Sequence, residues 1–377
     1  MKIVTRSLPE ATPGTQHRLS ACHFFPSRQG DGLTLKKVYI QAALHADEIP
    51  SLLVAQALRR EFLALEERRL LRWEVVLVTC ANPIGLAQSV LGNAHGRFEL
   101  ASGQNFNRGF PFLAPQISSR IEGQLGADAW CNVQKVRVAW REALQEWTAR
   151  TEFEALQLQL MLMAHDADVV LDLHCSKEAA VHLYASESTY DAVMPLARYI
   201  GARATLLAAD AGGQSFDEAL SYTWMQLHDQ FGERFPLPIS SIVATVEHRG
   251  QRDVSHELAS TDAAAIVNYL TCLGAIEGSP PPLPDLFAPA TPLAGSEQLF
   301  APVSGIVVYL AALGDRIRPG DALVDIVDPV TGHCTTLRSQ TEGVFYMAKD
   351  SRFARLGDPL GRVSGSRPMR TGKLLSA

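Results

Sequence analysis

KKVYIQAALHADE, residues 36–48, is the stretch from which the fold is read. An apolar run of Val38, Tyr39, Ile40, Ala42, Ala43 and Leu44 stops at His45, with Glu48 and then Pro50 close behind. A strand that runs into a helix start is where open α/β folds place ligands. Imidazole and carboxylate are both zinc donors, and H-x-x-E at such a turn can converge on one ion. The same residues admit a plainer reading, with Asp47 as N-cap, Glu48 as a first-turn carboxylate and Pro50 as an early-helix proline. The remainder of the chain decides between the two.

Working outward, residues 1–35 read as irregular or weakly β, while Leu52, Leu53, Ala57, Leu58, Phe62 and Leu65 recur at helical spacing and predict a helix over 49–70. WEVVLVTCANP, residues 73–83, is a continuous apolar run of the kind found in buried parallel strands, and it completes a βαβ unit. Asn82-Pro83 then opens a loop, and 84–112 is glycine-, asparagine- and arginine-rich. Long polar loops inside compact folds usually carry function. Within it stand Arg97-Phe98 and Asn105-Phe106-Asn107-Arg108. Guanidinium forks suit carboxylates and polarised carbonyls, although a solvated loop arginine is the ordinary alternative.

Residues 114–166 read as a core helix pair, which accounts for Trp130, Trp140, Trp147 and the methionines. ADVVLDLHCS, 167–176, is an apolar strand whose end carries Asp172 and His174 on one face. A packed strand-end histidine is common; a metal ligand with a carboxylate behind it has the same signature. Strand 179–186, helix 191–201 and a loop turning into helix over 211–232 follow. The run 239–259 again ends in charge, at Glu247, and the next helix has a capping signature at Ser260 or Thr261. GSPPPLPDLFAPATP, 278–292, marks a change of domain. Beyond it, short alternating runs cut by Gly-Asp, Pro-Gly and Thr-Gly turns predict a small all-β module.

With 377 residues, 47% hydrophobic and 20% charged, the chain has the composition of a globular protein of more than one domain. A net charge of −6 excludes a general nucleic-acid or anionic-membrane surface and favours small molecules or peptides as partners. Six scattered cysteines without a C-x-x-C pair fit reduced thiols. The amino terminus lacks an apolar leader core and no run of 18 uncharged apolar residues occurs, so the expected location is the cytoplasm.

Three strand ends thus carry His45 with Glu48, His174, and Glu247. Two histidines and a carboxylate with one position left for water is the pattern of a catalytic zinc site. In this order, with an Asn-Arg pair between, the pieces resemble the zinc carboxypeptidase-like superfamily, and more closely its succinylglutamate desuccinylase/aspartoacylase branch. The resemblance spans about 36–275 and 300–365. It implies His45, Glu48 and His174 as ligands of one Zn2+ per chain, Glu247 as the base that activates water, Asn107 and Arg108 as the holders of a substrate carboxylate, and Arg97 as the group that polarises the scissile carbonyl. Leu44 and Ala46 stand where that family usually has glycine, Asn105 where aspartate is frequent, and extra residues separate Arg97 from Asn107. The β module resembles a biotinyl/lipoyl barrel-sandwich, but its turn, Asp328-Pro329-Val330-Thr331-Gly332, holds no attachment lysine. It is therefore read as a lid or an oligomerisation element.

The expectation is an α/β fold with a mixed, largely parallel sheet flanked by helices, divided into a hydrolase domain (1–277), a proline-rich linker (278–298) and a β barrel-sandwich domain (299–377). Its expected activity is zinc-dependent hydrolysis of an N-acyl amino acid or related small amide. The alternatives are a metallocarboxypeptidase acting on peptides and a non-catalytic binding module. A homo-oligomer is one expected assembly.

Overall fold

The structure, a computed structural model, describes residues 1–26 and 36–375. The apolar runs read from the sequence assemble into one nine-stranded sheet. In spatial order its strands are Lys2–Ser7, Arg18–Phe24, Glu74–Val78, Lys37–Ala42, Val169–Ser176, Ile242–Gly250, His182–Ala185, Ala204–Leu207 and Thr291–Pro292. The four central strands run parallel, and the antiparallel pairings lie outside them. This is the mixed, largely parallel sheet expected, and its centre is apolar on both faces, as strands covered twice must be.

Each face has its own helical layer. Helices Ala114–Ile121, Ala129–Glu146, Glu152–Ala164 and Phe216–Phe231 bury Trp140, Trp224, Phe216 and Leu160 against one face. Helices Ile49–Glu67, Tyr190–Tyr199 and His256–Cys272 bury Phe62, Leu196, Ile266 and Tyr269 against the other. Residues 114–166 therefore form three helices where a pair was expected, because Asp128 and Thr151 cap the second and third with their side chains.

Local readings needed correction in four places. The strand that begins at Lys37 ends at Ala42, and Ala43 takes a left-handed φ of 59°, so His45 sits in a turn rather than at a strand end. Asp47 does not cap the helix that begins at Ile49; it accepts from Lys177 and Gln251 instead. Asn82-Pro83 opens a short helix, Pro83–Leu86, because Asn82 accepts from the Gly85 N–H and proline suits the first helical turn. The last helix of the sheet layer is capped by Ser255, ahead of Ser260 and Thr261. Residues 1–35 give two real strands at one end of the sheet, Lys2–Ser7 on its edge and Arg18–Phe24 next to it, and 27–35 lie outside the described residues.

After residue 297 the chain forms two four-stranded antiparallel systems around a core of Leu299, Val307, Leu323, Ile326, Phe345 and Leu360. Gly314-Asp315, Gly320-Asp321 and Gly357-Asp358 build the same turn. In each the glycine has φ between 82° and 95°, and the aspartate accepts from the backbone N–H of the residue three before it. These sheets do not hang free. Met347 and Ala348 pair with Glu178 and Ala179, just past the end of the His174 strand, and Arg352 pairs with Glu178. The proline-rich stretch is fastened as well, with Phe287 between Arg203 and Arg316 and Thr291–Pro292 on the sheet edge. Among the described residues no helix is long and apolar enough to cross a membrane.

Candidate metal centre and cavity

Parallel pairing brings the sequence-predicted residues to one place. Glu247 is the register partner of His174, and the Lys37–Ala42 strand that leads into His45 lies on the other side of the His174 strand. The turn carrying His45 is tied down by Asn82, whose amide donates to the Leu44 carbonyl at 2.9 Å. The 93–97 loop closes over it through Ala46 N–H to Gly96 O, and a side chain at Gly96 would meet the Asp47 nitrogen at 2.2 Å. Only glycine allows that approach, and it delivers Arg97 to the site.

His45, Glu48 and His174 each offer a ligand atom, and these atoms all lie within 4.8 Å of one another. His45 Nδ1 is 2.9 Å from Glu48 Oε1, and His174 Nδ1 is 2.8 Å from Glu48 Oε2. The outer nitrogens are held from behind. His45 Nε2 is 2.8 Å from Asn105 Oδ1, which also accepts the Asn107 N–H. That second bond fixes the amide orientation, so Nε2 is the donor and Nδ1 of neutral His45 keeps its lone pair. His174 Nε2 lies 2.9 Å from Asp172 Oδ2, an ion-pair contact rather than a well-directed hydrogen bond. Behind Asp172 a buried chain runs through Gln41 to the Tyr39 hydroxyl.

This arrangement fits a cation. A lone pair on His45 Nδ1 faces a carboxylate oxygen with no proton between them, and both groups are almost wholly buried. The donor set, two imidazoles and one carboxylate with partners behind the outer nitrogens, suits a divalent transition-metal ion. Charge follows the geometry. Burial, with Arg97 adding to it, pushes the His45 imidazole down to about 4. Burial also works against charge on His174, but the Asp172 and Glu48 carboxylates outweigh it and hold that imidazole well above its usual range. Glu48 is buried too, yet the two histidines keep its carboxyl far below the ordinary carboxylate value.

Glu247 lines the cavity beside this group and accepts from the Ser176 hydroxyl at 3.1 Å. Burial, reinforced by the Glu48 charge, pushes its carboxyl up to about 7, and a bound cation would favour its anionic form. Arg97 approaches His45 Nδ1 at 3.3 Å and Glu48 Oε1 at 3.4 Å, so its guanidinium borders the ligand group itself. Asn107 and Arg108 line the same cavity; Asn107 Oδ1 accepts the Phe216 N–H, which leaves its side-chain amide donor for a ligand.

The cavity has a volume of about 310 Å³, the scale of a small-molecule site. Its floor comes from the large sheet and its roof from the carboxy-terminal strands, including Met347, Lys349 and Arg362. Arg362 and Tyr184 are cavity residues that sequence reasoning missed. Arg362 is only 6% exposed, and Tyr346, Tyr184 and Glu247 lie in its field. Among the described residues no carboxylate forms an ion pair with it. Neither residue stands in a motif, and only the docking of one sheet on the other reveals them.

Fold and site together define a mixed, largely parallel α/β architecture with a metal-competent His-Glu-His group beneath a β roof. Over its whole length the chain is similar to solved structures described as succinylglutamate desuccinylase/aspartoacylase family proteins. One, from Shewanella amazonensis SB2B, is 25% identical with a TM-score of 0.82, covering 97% of this chain and 98% of that one. Another, from Shewanella frigidimarina NCIMB 400, is 25% identical with a TM-score of 0.83, covering 97% of each. The ectoine utilization protein of Ruegeria pomeroyi, 15% identical with a TM-score of 0.64 over 96% of this chain and 95% of its own, shares the fold. The resemblance read from the motifs is borne out at this level. No family model matches the chain, and no curated protein does.

Proposed function

We propose that the protein is a metal-dependent, most simply zinc-dependent, amide hydrolase that deacylates a small N-acyl amino acid. The observation that carries this reading is the convergence of His45 Nδ1, Glu48 and His174 Nδ1 beside Glu247 inside a roofed cavity. A divalent cation held by those three residues would polarise the scissile carbonyl and bring the pKa of a water toward about 7. Glu247 would accept the proton of the attacking water as its oxygen adds to the carbonyl carbon. It then hands the proton to the departing amine as the C–N bond breaks. Arg97 donates to the carbonyl oxygen as negative charge grows there. Asn107 and Arg108 grip a substrate carboxylate.

The roof argues for a small substrate rather than a threaded peptide, since about 310 Å³ must contain it. Arg362 adds a buried cation that an anionic group on the substrate would neutralise. Arg362→Met is expected to raise KM for N-acetylaspartate and N-succinylglutamate by about ten- to a hundredfold, the worth of a charged hydrogen bond. The KM for N-acetylleucine should change little.

The test of the whole reading is metal analysis of the purified protein, followed by a screen of those three amides with and without a chelator. Near-stoichiometric zinc or another divalent metal and chelator-sensitive release of amine are expected. A metal-free protein that takes up no zinc would overturn it.

A further inference from the structure

The strand that carries Glu247 ends in a departure from its own alternation. Along Ile242–Gly250, Val243 packs into the core on the cavity face, the Thr245 hydroxyl donates to Asp217, and Glu247 lines the cavity. Ile242, Ala244 and Val246 face the other way, among Ala259, Ala263 and Ile266 of the His256–Cys272 helix. A period of two therefore assigns His248 to the helix face and Arg249 to the cavity face, next to Glu247.

His248 obeys, with Nδ1 2.9 Å from Asp262 Oδ2. Arg249 does not. It adopts φ 66°, a left-handed conformation that a residue with a Cβ enters only under strain. The pairing with Val169–Ser176 shifts register between Glu247 and Gly250. The guanidinium thereby comes round to the helix face and donates to the same Asp262 from its two terminal nitrogens, at 2.8 and 2.9 Å. Gly250 N–H donates to Asp253 Oδ2 and closes the turn.

We infer that Asp262, buried on a helix behind the sheet, is a positioning residue for Glu247. It holds Arg249 in the left-handed conformation, which turns a guanidinium out of the cavity and fixes the bulge from which the Glu247 carboxylate is aimed. This rests on the reading of Glu247 as the base. Released from Asp262, Arg249 relaxes to ordinary extended backbone and brings its cation to the Glu247 side of the strand. There it ties up the oxygen lone pairs that must receive the proton of water. A merely structural tie between strand and helix has a different consequence, because its loss lowers the denaturation midpoint and leaves the kcat of the folded protein unaltered.

The deciding comparison is Asp262→Asn against the double variant Asp262→Asn with Arg249→Gly, assayed with N-acetylaspartate and N-succinylglutamate. Asparagine keeps an acceptor for His248, so folding is protected. With metal content and KM unchanged, D262N is expected to lose about a hundredfold in kcat, the scale of an ångström of misplacement. The double variant removes the cation and places at 249 a residue that enters the left-handed region freely. It should recover most of the lost kcat. A double variant as slow as D262N, or a D262N with unaltered kcat, would overturn the inference. If the unaltered protein turns over neither amide, it is the deacylase reading that fails. The clamp is then decided by a crystal structure of D262N: a guanidinium of Arg249 on the cavity face upholds it, and one still against the helix refutes it.

Discussion

Replacing His174 by alanine is expected to leave a protein that purifies without its metal and has no measurable amidase activity. The imidazole contributes one of three atoms in the His45, Glu48 and His174 group, and no other histidine among the described residues joins that group. The loss in affinity should exceed the roughly 10- to 100-fold that follows when only an outer partner of a ligand is removed. A second effect accompanies it. His174 stands between Glu48 at 2.8 Å and Asp172 at 2.9 Å, all three nearly inaccessible to water. Its removal takes the charge partner from two buried carboxylates, and breaking a buried pair from one side costs on the order of 3–5 kcal/mol. Metal analysis and a denaturation midpoint on the same preparation read both outcomes. Unchanged metal content in the variant would mean that the ligand set is wrong.

Glu247→Gln should separate chemistry from metal binding. The amide is nearly isosteric and can still accept from Ser176, so the variant should fold and keep its metal. It cannot take up a proton, and kcat should fall by about a hundred- to ten-thousandfold, the usual worth of a positioned general base. KM should stay close to that of the unaltered protein, because binding is assigned to Asn107, Arg108 and Arg362. A variant with normal turnover would remove Glu247 from the mechanism. Loss of metal along with activity would instead point to a ligand role for its carboxylate.

His45, Glu48, His174 and Glu247 could be singled out from the sequence because each stands where an apolar run gives way to polar residues. That transition is local: it depends on a few neighbours and on the propensity of valine, isoleucine and leucine for buried strands. The choice between the two readings of 45–48 was not local. Asp47 could have capped the helix, but its side chain is drawn to Lys177 and Gln251, while Glu48 points inward because the Cys175 N–H and the His174 imidazole satisfy it there. Asn105 offered no sign that it would hold His45 by its outer nitrogen. Sixty residues separate the two, and the Gly96 approach is what closes the gap.

The sequence by itself determined the α/β class, the parallel core of the sheet, the all-β carboxy-terminal stretch and the residue types able to bind a metal. Those follow from periodicity and composition, which act over short distances along the chain. Only the tertiary structure decided that the carboxy-terminal sheets roof the cavity, that Arg362 and Tyr184 face it, and that Asp262 draws Arg249 away from Glu247. Those contacts join segments from 13 to more than 170 residues apart, as in the Arg249–Asp262 and Glu178–Arg352 pairs. They arise because sheets and helices must bury whole faces against one another, and no single segment carries the information about which face it will meet.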